Sequence, residues 1–158
     1  MSSRLLALAA LFLAFSTLTA CQKEAPVVAE VTAPTSAADT AGWKKYLTVL
    51  IKTYLPKDKN SRAYTIFADA NQDAEKTARQ VESTRNFLLR GVAEGTMLVL
   101  VSPDSAVIAT VVEQSFAEPQ TDKLKGSKVL YIGNSTELER IRAAVTPWGP
   151  EFVFHELK

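Results

Sequence analysis

The chain has 158 residues, of which 47% are hydrophobic and 22% charged, with one Cys, one His and a formal net charge of +1. Size and composition suit one globular domain. The near-neutral balance argues against a dedicated nucleic-acid binder, and a lone Cys excludes an internal disulfide framework and a Cys-rich zinc site.

Residues 1–20, MSSRLLALAALFLAFSTLTA, contain one basic residue, Arg4, followed by an apolar run over 5–15. A run of about 11 residues is too short for a spanning helix, which needs roughly 20. It fits the apolar region of a secretory signal peptide. Small and polar residues then lead into Leu18-Thr19-Ala20-Cys21. This segment resembles the lipobox of bacterial lipoprotein precursors: an aliphatic residue, two small ones, then Cys. The resemblance implies that Cys21 receives a diacylglyceryl thioether, that residues 1–20 are removed, and that the new amino terminus is acylated. Each buried lipid methylene contributes about 0.8 kcal/mol, so two or more chains hold a protein at a membrane without a transmembrane helix. Gln22 rather than Asp follows the Cys. By resemblance to the sorting rule of enterobacterial lipoproteins, this implies the periplasmic face of the outer membrane rather than the inner membrane. Apart from the covalent lipid, no cofactor is expected.

Residues 22–41, QKEAPVVAEVTAPTSAADTA, lack aromatics and sustained periodicity, and Pro26 and Pro34 disfavour helix. They read, with Cys21, as a flexible tether. About 20 such residues reach roughly 70 Å fully extended and span about 25 Å as a coil. Val27, Val28 and Val31 offer an alternative, a strand added to some partner.

Residues 42–158 read as one α/β domain. Trp43, Tyr46, Leu47, Leu50, Ile51 and Tyr54 recur at helical spacing, with Asp39 or Thr40 as the start and Pro56 as the stop. Residues 63–68 predict a short strand. A long helix follows, with Ala74, Ala78, Val81, Leu88 and Val92 on its inner face and Gly91 or Gly95 at its end. The uninterrupted run Met97-Leu98-Val99-Leu100-Val101 predicts a strand covered on both faces. Ser102 and Pro103 then predict a capped helix start. The stripe Val107, Ile108, Val111, Val112 and Phe116 follows, where β-branching leaves strand as a rival to helix. Residues 129–132 predict a third strand ended by Gly133. Asn134 and Glu137 resemble a capping box, and Leu138, Ile141 and Val145 face inward from the next helix. A turn through Pro147, Trp148, Gly149 and Pro150 leads to a last strand over 152–157.

The alternation argues for a small three-layer, Rossmann-like domain. About four mainly parallel strands carry helices on both faces, and an N-terminal helix precedes them. In such sheets ligands favour the rim beyond the strand ends. That rim should carry Asp69, Asn71 and Asp73, then Ser102 and Asp104, then Asn134 and Ser135. Carboxylates there could hold a hard cation, and a small hydrolase or metal-dependent activity would need Asp69 and Asp104 to converge. Helix caps and turns account for the same residues without a ligand, and no metal site is assigned. No dinucleotide, phosphate-loop or nucleophile-elbow motif occurs. His155 and Glu156 are strand neighbours and point to opposite faces, so they make no natural catalytic pair. Lys123, Lys125 and Lys128 form a short basic cluster, either a solvated face or a contact for an acidic partner or anionic headgroup. Trp148, at an exposed-looking turn, is a candidate protein contact.

Removing Arg4 with the signal leaves 17 basic and 17 acidic residues. Without a recognisable catalytic constellation the reading leans away from an enzyme, a small hydrolase or a metal- or ligand-binding domain at the rim being the alternative. It leans toward a lipid-anchored periplasmic domain that binds an envelope protein, as an accessory or assembly factor. An alternative in the same class is an immunity lipoprotein that neutralises an antibacterial effector acting in the periplasm.

Overall fold

Two uninterrupted apolar segments set the middle of the sheet. In the computed structural model, which describes residues 31–57 and 60–158, β2 (Thr96–Val101) is buried at every position and β3 (Lys128–Gly133) at five of six. The signal segment, the lipobox with Cys21 and the tether residues 22–30 lie outside the described residues. The strands with polar interruptions take the edges. β1 (Arg62–Phe67) flanks β2 and β4 (Glu151–Glu156) flanks β3, giving the order β1-β2-β3-β4 with every pairing parallel. The architecture is thus the expected α/β, Rossmann-like one, with helices on both faces of a parallel sheet.

Each connection steps across the sheet in the same direction. Right-handed crossovers then put α2 (Ala74–Arg90), α3 (Ser105–Ser115) and α4 (Leu138–Val145) on one face. There Leu98, Leu100, Val129 and Tyr131 pack against Val81, Leu88, Ile108, Val112 and Ile141. The alternate side chains, Met97, Val99, Val101, Leu130 and Ile132, point to the other face, where Trp43, Tyr46 and Leu50 of α1 (Thr40–Tyr54) cover them.

Local details depart from expectation in instructive ways. Residues 105–115 are helix and not strand, because Ile108, Val111 and Val112 lose all exposure against the sheet and neighbouring helices, which outweighs β-branched propensity. The cap of α3 is Asp104, whose carboxylate accepts from Ala106 N–H at 3.0 Å. Ser102 is buried and its hydroxyl accepts from Asp104 N–H at 3.0 Å, so Pro103 precedes the cap. Along α2 the inward residues are Val81, Thr84 and Leu88, while Ala74 and Ala78 are exposed. Gly91 ends that helix at φ 76°, where a side chain would be strained. Asn134 makes no capping box. A 3-10 turn over Ser135–Glu137 intervenes, and Glu137 binds Arg140, which also holds Glu113 of α3.

The tether boundary moves. Ala33 is buried and its N–H donates to Lys158 O at 3.1 Å, Val31 packs on the α1-side core, and the Trp43 indole donates to Ser36 O at 3.1 Å. Residues 31–39 therefore belong to the domain, and Thr40 and Ala41 to α1. A small residue at 33 can enter a core that composition alone assigned to a linker. Among the described residues no helix is long and apolar enough to cross a membrane.

Candidate functional site

The strand-end rim is built from caps. Asp73 caps α2 by accepting from Lys76 N–H at 2.7 Å, and Asp69 is paired with the Lys76 ammonium. Asp69, Asn71 and Asp73 share a shallow hollow of 460 Å³ with Lys76. Ser102, Asp104, Asn134 and Ser135 do not line it. Ser105 accepts from Asn134 N–H at 2.9 Å, and Ser135 Oγ lies 3.2 Å from a Glu156 carboxylate oxygen. The rim therefore separates into one acidic hollow and a second network that holds loops together. Among the described residues no cluster of three His, Cys, Asp or Glu could hold a metal. The strand order also never reverses, so the sheet has no switch point to open a crevice between diverging helices.

Two other candidates turn out to be packing groups. Trp148 is 1% exposed, meets Phe116 edge-on at 5.6 Å and donates its indole N–H to Phe116 O at 3.0 Å. It closes the three-helix core and presents no surface, since its turn folds inward between two prolines. His155 lies between Tyr46 and Tyr54, with Nδ1 3.0 Å from the Tyr54 hydroxyl. Burial, then the nearby Lys158 charge, lowers its pKa, so the ring favours its neutral form. The lysines do not act as a cluster. Lys123 and Lys125 are exposed, while Lys128 donates to Tyr54 O at 3.1 Å and sits 3.9 Å from Glu151.

Among the described strands β1 is the least buried. A helix with side chains is about 10 Å wide, whereas four strands spaced near 4.8 Å are wider than that. One helix cannot roof the whole face. α1 begins over the end of β1, where Trp43 meets Phe67 at 5.9 Å, and finishes near β3 and β4, where Tyr54 meets Lys128 and His155. Thr65 in the middle of β1 is left exposed. Between α1 and β1 runs a groove of 430 Å³, walled by Leu47, Ile51 and Phe67, with Lys44, Thr48 and Asp69 at its margins. On the opposite face Tyr64, 44% exposed, leans on Phe87 at 5.3 Å. Hollows of 190 and 300 Å³ flank it against α2. Among the described residues β1 thus has open ground on both faces and no strand on its outer side.

Sequence reasoning placed ligands at strand ends and overlooked this edge. A signal was present in α1, whose apolar positions 43, 46, 47, 50, 51 and 54 form a stripe wider than a single row. Leu47 and Ile51 flank that stripe and only partly bury. No protein-family model, curated protein or solved structure matches the chain.

Proposed function

We propose that this chain is a lipid-anchored periplasmic domain that works by binding another protein of the cell envelope. The anchor is supported by the only Cys standing at the end of a short apolar export segment, at position 21 of Leu18-Thr19-Ala20-Cys21. Binding is supported by the apolar groove between α1 and the uncovered edge strand β1. Its walls are hydrophobic and its margins carry both signs of charge, the pattern of a contact that excludes water at its centre and fixes orientation at its rim.

The docked residues 31–39 shorten the lead. From Cys21 to Val31 the chain can reach at most about 35 Å, so the domain meets its partner close to the membrane face. Two experiments test the reading. Cys21→Ser should abolish both processing and membrane association; survival of both defeats the anchor. Thr48→Arg, at an exposed position on the groove margin, should fill the groove and reduce crosslinking to an envelope partner by tenfold or more, without changing the melting temperature. Equal crosslinking by Thr48→Arg and the natural chain places the contact elsewhere.

A further inference from the structure

The open edge of β1 has a property beyond being uncovered: it is complementary to itself. Ala68 N–H donates to Val101 O, and β1 and β2 run in parallel register from Arg62↔Thr96 to Phe67↔Val101. Backbone groups alternate along a strand, so Tyr64, Ile66 and Ala68 turn theirs toward β2, and Ala63, Thr65 and Phe67 turn theirs outward. The Gln80 amide agrees with this assignment, since it reaches Phe67 O at 2.9 Å. That oxygen keeps a second lone pair.

We propose that two copies of this chain pair through β1 as antiparallel edge strands, on a two-fold axis at Thr65. This register opposes outward groups only to outward groups: Thr65 to Thr65, and Ala63 to Phe67 of the second copy. On the α1 face it sets a small residue against a large one and a threonine against a threonine. On the α2 face it sets Tyr64 against Ile66, an aromatic against a β-branched residue. Such cross-strand pairs are the favourable ones. The 190 Å³ hollow lined by Ile66, Ser83 and Phe87 lies where the second copy's Tyr64 would arrive. The only charge in the strand, Arg62, falls opposite Ala68, so no like charges meet. β1 also lacks the lysine or proline with which edge strands resist pairing, and its register on β2 is unbroken by a bulge. Joined this way, the two α1–β1 grooves face each other across the axis as one trough. The pairing does not rest on the protein-binding reading, because the strand's outward backbone groups carry it, although Thr65 and Phe67 also line the groove.

Two tagged copies of the full chain, co-expressed in the envelope, test it. The natural pair should co-capture. Thr65→Lys in both copies puts two ammonium groups face to face at an exposed position and should reduce recovery tenfold or more. Thr65→Lys in one copy with Thr65→Glu in the other should restore it. Thr65→Cys should give a disulfide-linked pair, since directly opposed residues of this type lie about 5.5 Å apart at Cα, within disulfide reach; Thr48→Cys should not. No co-capture of the natural pair, natural recovery by the double-lysine pair, or no rescue by the opposite charges would each overturn the proposal. Thr48→Arg reads the groove separately, so either result can fail while the other stands.

Discussion

β1 and β4 are both six-residue edge strands of one parallel sheet, yet their surroundings differ. β4 is held on both faces and just beyond its last residue, although it too is an edge of the sheet. Tyr131 stacks on Phe154 at 5.5 Å, Arg142 lies over the Phe152 ring at 4.9 Å, and Tyr54 reaches His155. Glu151 and Glu156 stand at its two ends, and Lys158 just beyond it receives Ala33 N–H. β1 has a groove on one face, hollows on the other and a single charge. The difference follows from topology and not from strand chemistry. A sheet wound in one direction places all its crossover helices on one face, and the remaining helix must choose which strands to cover. α1 starts at β1 and leaves it, so the edge that begins the sheet stays open.

The largest stability effect should fall on β4, whose two faces are covered. Phe154→Ala removes a partly buried ring packed against the three-helix core and should cost about 2 kcal/mol, measured by denaturant unfolding. A change below 1 kcal/mol would mean that β4 is not fastened as described. Tyr54→Phe deletes the hydroxyl partner of His155 and should cost about 1 kcal/mol.

The same contact gives a pH dependence. The His155 pKa is lowered in the folded chain, chiefly by burial, so the unfolded chain binds its proton first. Its contribution to stability is present above the unfolded value near 6.5 and is lost as pH falls below that toward the folded value. The unfolding midpoint should decline over that interval, and His155→Gln should flatten the decline. Glu113, its pKa lowered mainly by its hydrogen bond to Arg140, acts in a separate window. Its contribution is lost only as pH falls below the usual carboxylate range. An unchanged slope in His155→Gln would assign the mid-pH dependence to another group. Smallest of all should be Tyr64→Ala on the open edge, at roughly 0.5 kcal/mol for a ring that is about half-exposed, although the same change should weaken association of two copies. A loss as large as that of Phe154→Ala would erase the contrast between the edges.

Much of this fold was legible in the residues. The unbroken run at 97–101 announced a strand covered on both faces, and 63–68, 129–132 and 152–157 were legible as strands, although their order was not. Asp39, Asp73 and Gly91 signalled helix ends by local chemistry alone. The failures came where distant parts of the chain decide. Ala33 looks like linker until Lys158 and Trp43 meet it, and Trp148 looks exposed until Phe116 does. Asp69 and Asp104 look like paired ligands until each is seen to satisfy its own helix start or neighbouring lysine. The open edge was the least legible feature, because a strand's own sequence does not say whether a helix will lie across it.

The contrast between the two edges reduces to one measurement. A photo-crosslinking residue is placed at Leu47 in the groove or at Glu156 at the end of β4, in the anchored chain within its own envelope. The account predicts a heavier adduct from position 47 and none from position 156. Adducts from position 156 alone, or from neither, would contradict it.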